Sequence, residues 1–330
     1  MMRFLMVLVL VVVTATPAAA APAPDVITGR SAALHPEGIA WDPLRHAFLL
    51  GSIRRGTVEV VRDGTTKTLV SDPRMVSAFG VHVVGGRIYV AHGDMGVGAR
   101  STPETTYRSS GLGVFDLATG RPLHLVDLAI GPGRHSANDV AVDHAGNAYV
   151  TDPASDALYL VDRDGRATVL ARDPRFGSDT IGLNGIVWHP EGYALAVRYD
   201  TGALFKITRS GRISEVALDR PLVGGDGMDL RPDGTLAVVT NSLGAPGEAA
   251  VSVLRSGDGW GTARTTRRVA PWGDDEPTTI ARSPHGSYVV DGDLGTLIGG
   301  TGLSDAHTLR KFPESRGRHG GGAVASDAIG

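Results

Sequence analysis

The stretch SANDVAVDHAGNAYVTD, residues 136–152, alternates apolar and polar side chains on either side of a short polar turn, so it reads as a strand, a turn and a second strand. It opens on Asn138 and Asp139, two residues that a strand bound for a core has little use for. The same unit returns along the chain. PEGIAWDPLRHAFLLGS starts at Pro36, FGVHVVGGRIYVAHGD at Phe79, NDVAVDHAGNAYVTD at Asn138, NGIVWHPEGYALAVRYD at Asn184, DGMDLRPDGTLAVVTN at Asp226 and TTIARSPHGSYVVDGD at Thr278. Each copy is a short apolar strand, a turn built on Pro, Asp or Gly, and a second strand, which is hairpin chemistry. Most copies run on into a third and fourth strand, as in ALYLVDRDGRATVLA and ALFKITRSGRISEVA. Six copies spaced 42–59 residues apart, with four strands each, describe an all-β fold, a six-bladed β-propeller of four-stranded antiparallel blades.

In a propeller the first strand of every blade lines the central channel, so the residues that open the repeats form a ring at one mouth. Those residues are Glu37, Phe79, Asn138, Asn184, Asp226 and Thr278. Taken singly, Asn and Asp are turn formers whose side chains bond to nearby backbone groups. Four oxygen-bearing side chains in register on separate repeats argue instead for a shared site. Glu37, Asn138, Asn184 and Asp226 are therefore the candidate metal ligands. Two carboxylates and two amide oxygens suit Ca2+ or another hard divalent cation, whereas zinc prefers the His and Cys that the ring lacks.

The rest of the sequence bounds what surrounds that ring. The chain has 330 residues, 45 of them Gly and none Cys, with a formal net charge of -3. No segment concentrates Lys and Arg, which excludes nucleic acid as a partner, and a small-molecule substrate is expected instead. Arg3, the ten apolar residues from Phe4 to Val13 and the small residues around Ala19–Ala21 make residues 1–24 a secretory signal peptide. Ten apolar residues are too few to span a bilayer. The expectation is a secreted or periplasmic protein with no membrane association after cleavage, a propeller over residues 25–312 and a disordered Gly-rich tail over residues 313–330. Closing the ring needs a strand from the opposite terminus, which residues 25–34 supply, with AHTLRKF near the C-terminus as the alternative.

The motifs PEGIAW, ANDVAVD, GLNGIVW and GDGMDL resemble the regucalcin/gluconolactonase family, which is related to the paraoxonases and the strictosidine-synthase-like proteins. The resemblance covers residues 36–295. It implies a six-bladed propeller with a divalent metal in the channel, usually calcium, and hydrolysis of lactones or other esters. It further implies that Glu37, Asn184 and Asp226 are metal ligands and that Asn138 is a ligand or a substrate contact. Three departures from the family pattern matter. Gly38 stands where relatives with a second calcium have an acidic residue, so a single metal is expected with Asp139 supporting it. Phe79 stands where paraoxonases have a catalytic His, and Ser136 where sugar-lactone hydrolases often have Arg.

A calcium ion there would polarise a carbonyl, with Asp226 as the candidate base and Asp152 behind it, although Asp152 also reads as a turn former in TDPASD. His82 and His92 read as packing or surface residues. Residues 93–111, the long loop between the second and third strands of the second repeat, read equally as a lid or as a surface insertion; Tyr107 is their one aromatic residue and a candidate substrate contact. A non-catalytic propeller with a structural metal and a condensing enzyme of the strictosidine-synthase kind remain the alternatives.

Overall fold

The computed structural model describes residues 23–62 and 64–313. The expected signal peptide, except its last two residues, and all of the expected tail except Pro313 lie outside the described residues. Among the described residues no helix is long and apolar enough to cross a membrane.

Strand β1 (Val26–Arg30) comes first. β2 (Pro36–Asp42), β3 (Ala47–Ser52), β4 (Thr57–Arg62) and β5 (Thr65–Ser71) form one four-stranded antiparallel sheet, and β6 (Ser77–Val84), β7 (Arg87–Gly93), β8 (Ser110–Asp116) and β9 (Pro122–Asp127) form the next. A third is built from β10 (Val140–Val142), β11 (Ala148–Thr151), β12 (Ala157–Val161) and β13 (Ala167–Arg172). Two further meanders follow: β14 (Leu183–His189), β15 (Tyr193–Arg198), β16 (Leu204–Thr208) and β17 (Ile213–Leu218), then β18 (Gly225–Leu230), β19 (Leu236–Thr240), β20 (Ala250–Arg255) and β21 (Thr262–Val269). A short parallel pairing of their outer strands, Ala217 opposite Thr262 and Leu218 opposite Ala263, joins these two into one eight-stranded sheet. The last sheet contains β22 (Pro277–Ser283), β23 (Gly286–Asp291) and β24 (Ala306–Lys311), with the short helix α1 (Leu294–Ile298) between β23 and β24.

The architecture is thus an all-β fold of propeller type, and the burial pattern explains its sequence. Strands near the start of each meander, such as β3, β15 and β19, are buried along nearly their whole length, because sheets packed face to face cover both sides of them. They accordingly read as apolar runs. Outer strands such as β5 and β17 have only scattered buried residues. The turns follow Asx chemistry. In DHAGN, the Asp143 carboxylate accepts the Ala145 and Asn147 amides at 2.8 and 2.9 Å while Gly146 takes a φ of 86°.

Apolar clusters fill the gaps between successive sheets, and one of them, with Leu34, Ile39, Phe48 and Leu50 on one side and Tyr288, Val290 and Leu309 on the other, joins the first sheet to the last. The first strands also touch in sequence: β2 with β6, β6 with β10, β10 with β14, β14 with β18, β18 with β22 and β22 with β2. Where they touch, a glycine follows four of the six ring positions and lets backbones meet. A Cβ on Gly38 would lie 2.2 Å from the Phe79 carbonyl oxygen, and one on Gly185 would lie 1.9 Å from that of Asp226. Five of these strands carry a register irregularity at this point, the signature of a bulge that re-aims a side chain.

Both candidate closing segments belong to the last sheet. β24 is its third strand, and β1 pairs along β24 from Val26 opposite Arg310 to Arg30 opposite Ala306. Flanking bonds extend the seam: the Lys311 amide donates to the Asp25 carbonyl at 2.8 Å and the Tyr288 hydroxyl to the Pro24 carbonyl at 2.7 Å. Deleting residues 25–34 removes the β1–β24 pairing, the Asp25 bond and the buried Leu34 side chain. At about 1 kcal/mol for each lost bond, the melting temperature should fall by on the order of 10 °C. Circular dichroism melts of the two proteins check this, and equal melting temperatures would mean that the seam adds no stability.

Candidate functional site

Five of the six ring residues sit in the first strands as expected. Glu37, Phe79, Asn184, Asp226 and Thr278 lie in β2, β6, β14, β18 and β22. Asn138 differs: it lies two residues before β10, since the Asn138–Asp139 pair bulges away from regular pairing. It stays anchored to β11 through its own amide, which donates to the Thr151 carbonyl at 3.0 Å. A circle of polar contacts fixes the layer. Thr278 Oγ1 donates to the Glu37 carbonyl at 2.7 Å, the Gly80 amide to the Asn138 carbonyl at 2.7 Å, and Thr151 Oγ1 to the Asn184 carbonyl at 2.5 Å.

The side chains in this layer are buried, with Glu37, Asn184 and Asp226 only 4–5 % exposed. Glu37 Oε2, Asn138 Oδ1, Asn184 Oδ1 and Asp226 Oδ1 are each buried without a hydrogen-bond partner. Buried polar atoms in native proteins are nearly always paired; orphans such as Ser77 Oγ and Asp229 Oδ2 occur elsewhere too, but the four at ring positions form an oxygen set of the kind a hard cation takes. Among the described residues no three His, Cys, Asp or Glu side chains form a metal-binding group, because two of the four oxygen donors here are amides.

The electrostatics point the same way. Burial drives the Glu37 carboxyl well above its ordinary range, and repulsion from Asp226 and then Asp139 adds to it. Asp226 is pushed up to about 7, chiefly by burial; a hydrogen bond from Asn241 opposes this and the charge of Asp139 adds to it. Asp139 rises to about 6, again by burial, even though its two oxygens accept the Val140 amide at 2.8 Å and the Ile186 amide at 3.1 Å.

Asn241 and Tyr199 support Asp226 and were not among the residues expected from sequence. Asn241 Nδ2 donates at 2.8 Å both to Asp226 Oδ2 and to the Pro277 carbonyl, and Asn241 Oδ1 accepts the Tyr199 hydroxyl. Asp226 is thereby left with one oxygen, Oδ1, facing the ring. Burial, then the charge of Asp226, raises the Tyr199 phenol. The signal for Asn241 lies in the repeats: it closes TLAVVTN at the position where Asp152 closes NAYVTD.

Asp152 and Tyr107 are placed elsewhere. Asp152 Oδ1 accepts the Ser136 amide at 2.9 Å and the Ala154 amide at 3.0 Å, and Oδ2 faces His135 Nδ1 at 3.5 Å. It braces the segment that leads into Asn138, and its oxygens are occupied. Tyr107 lies beneath the Arg134 guanidinium, 3.6 Å from the ring centroid, and its carbonyl accepts the His135 amide at 2.9 Å. Its loop, between β7 and β8, is built around the buried Asp94, whose carboxylate accepts the Gly96 amide at 2.7 Å, Ser101 Oγ at 2.6 Å and Thr105 Oγ1 at 2.7 Å.

Over the ring lies an apolar roof. Phe79, itself a ring member, packs with Ile53, Leu294 and Leu297, and Met95, Val97 and Leu243 press against them. The opposite mouth opens into a cavity of about 850 Å³, and Ile39, Val81, Asp139, Ile186, Met228 and Thr279, each one or two residues beyond a ring position, are among its walls.

Residues 35–249 match the SMP-30/Gluconolactonase/LRE-like region. The chain belongs to this family. Membership bears out the resemblance read from its motifs and points to a lactonase-type hydrolase. No curated protein matches the chain by sequence. Among solved structures, this SMP-30/gluconolactonase-like chain is similar to the major Malassezia sympodialis allergen Mala s 1, at 18% identity and a TM-score of 0.70 over 88% of this chain and 96% of that one. It is similar as well to a gluconolactonase from Xanthomonas campestris, at 16% identity, TM-score 0.58, 87% and 89% coverage. Virginiamycin B lyase from Staphylococcus aureus aligns at 12% identity and TM-score 0.54, covering 87% of this chain and all of that one. At such identities the likenesses speak for the fold alone.

The buried carboxyls give a test that needs no substrate. Between about pH 4, where an unfolded Asp ionises, and about pH 7, where Asp226 does, the folded chain holds a proton that the unfolded chain has released. In this window Asp226 makes stability fall as pH rises, whereas His82, His92 and His307, held down to about 4 by desolvation, make it rise. The Asp226 contribution is therefore read in chelator as the difference between the parent and Asp226→Asn, whose melting temperature should gain on the parent's from about pH 4 to about pH 8. A difference that does not grow over that range would contradict the upward shift of Asp226.

Proposed function

We propose that the chain is an exported, closed six-bladed propeller that hydrolyses a lactone or other ester with the help of one calcium ion. Glu37, Asn138, Asn184 and Asp226 would hold that ion. The observation that carries this reading is the set of four orphaned oxygens, one from each of four meanders, converging on one buried layer. Two carboxylates balance the charge of a divalent cation and two amides complete a hard oxygen set. Export rests on the three-part pattern of residues 1–24.

When bound, calcium would supply a Lewis acid for the substrate carbonyl and a counter-charge for the developing oxyanion. The protein's own contribution is positional. Asn241 holds Asp226 Oδ2, so Oδ1 is the oxygen left for the ion, and Asp226 is also the candidate to accept a proton from the attacking water. The Thr278 and Thr151 hydroxyls, which donate to the Glu37 and Asn184 carbonyls, hold the backbone from which these two side chains project.

Calorimetry should find about one calcium per chain. A hundredfold excess of calcium over its Kd should stabilise the fold by about 2.7 kcal/mol, a rise of several degrees in melting temperature. Asp226→Ala should weaken binding by on the order of 100-fold or more, beyond the 10–100-fold typical when only a supporting group is lost.

Asn184 separates a catalytic ion from a structural one. Asn184→Asp adds a third negative charge, so it should keep or tighten calcium binding and yet slow hydrolysis, because a more neutralised cation polarises a carbonyl less. Asn184→Leu should lose both. Chelator-sensitive turnover of a lactone and aryl-ester panel by the parent and the two variants is the measurement. Equal turnover in all three would falsify a catalytic role for the ring.

A further inference from the structure

The ring is a polar layer beneath an apolar roof. On the roof side stand Ile53, Phe79, Leu294 and Leu297, all 2–6 % exposed. On the far side the channel wall is mixed, with Ile39, Val81, Ile186 and Met228 beside Asp139 and Thr279. Several polar groups beside the roof and the ring are already engaged. Asp94 is taken up by its own loop, the Arg54 guanidinium donates to the Val97 carbonyl at 2.8 Å, Glu276 Oε2 accepts the Gly295 amide at 2.6 Å, and Asp139 accepts two backbone amides. Ser136, which stands where a guanidinium would suit a sugar acid, is buried, and its amide is spent on Asp152.

We propose that the substrate of this site is apolar around its reacting carbonyl, an alkyl- or aryl-substituted lactone or ester, and not a polyhydroxylated sugar lactone. The inference rests on the hydrolase reading above. On the roof side the atoms next to its carbonyl come to lie against Ile53, Phe79, Leu294 and Leu297, side chains that offer no hydrogen bond. A sugar lactone would leave its hydroxyls unpaired there, and each such group lowers transition-state binding by roughly 5- to 150-fold. An alkyl or aryl group instead replaces the contacts that the roof residues make with one another. Phe79 is the pivotal residue, since it occupies a ring position and also anchors the roof.

The test compares an alkyl δ-lactone, phenyl acetate and glucono-1,5-lactone with the calcium-loaded full chain. Thermal shifts with an alkyl δ-lactam and with gluconolactam, neither of which is readily hydrolysed, provide a readout independent of turnover. We expect kcat/KM for the alkyl lactone to exceed that for gluconolactone by on the order of 100-fold, the product of two or more unpaired hydroxyls. Only the alkyl lactam should raise the melting temperature. Phe79→Ser should narrow the preference by about tenfold, whereas Phe79→Leu, which keeps the roof apolar, should retain it; if the serine variant fails to fold, the leucine variant and the lactam shifts still decide. Gluconolactone turned over as well as the alkyl lactone, with no shift from the alkyl lactam, overturns the substrate class and leaves the hydrolase reading standing. No turnover at all together with a shift from the alkyl lactam overturns the hydrolase reading and keeps the apolar ligand. Neither turnover nor shift overturns both.

Discussion

The inner strands of this protein meet backbone to backbone, and that contact governs the rest of the structure. At four of the six contacts between first strands a glycine follows the ring residue, and atoms of the neighbouring strand occupy the space a Cβ would need. Sheets carrying larger residues there would stand further apart, and the side chains that open them would not converge. Gly185 is the tightest case, with the Asp226 carbonyl 1.9 Å from where its Cβ would be. Asn184 on β14 and Asp226 on β18 are thus set side by side by a residue that has no side chain.

Convergence has an electrostatic cost, which the carboxyl groups reveal. Glu37, Asp139 and Asp226 are brought into one buried layer with no Lys or Arg to offset them, and burial lifts all three above their ordinary range. A protein selected for stability alone would pair or remove such groups. Asn241 goes further by giving one Asp226 oxygen a partner and leaving the other without one.

The repeat made most of the architecture legible, because period-two alternation, turn residues and a fixed spacing each report on local backbone and recur six times in the sequence. It also put Glu37, Asn138, Asn184 and Asp226 in register, and the structure finds an orphaned oxygen on each. Asn241 and Tyr199 escaped notice since their role depends on contacts made across meanders: Tyr199, one residue past β15, bonds to a residue 42 positions away. The bonds that occupy Asp152 were hidden for the same reason, as was the roof, to which Ile53, Val97 and Leu243 come from three different loops and Leu297 from helix α1. The parallel seam between β17 and β21 had no signal at all, being a pairing of two residues between outer strands that otherwise read as ordinary edges.

That seam divides the ring into parts of unequal stiffness. Asn184 and Asp226 come from the two meanders that share one continuous sheet, so their separation is set twice, at the channel by Gly185 and at the rim by the strand pairing. Glu37 belongs to a sheet with no strand pairing at its rim; it meets its neighbours through the close approach at Gly38, the Thr278 bond and side-chain contacts such as that of Arg45 with the Leu117 carbonyl. An ion seated in the layer would therefore lean on one rigid flank and one compliant flank. Discrimination between a larger and a smaller divalent cation depends on how far ligands yield to ionic radius, and here that adjustment would fall to Glu37.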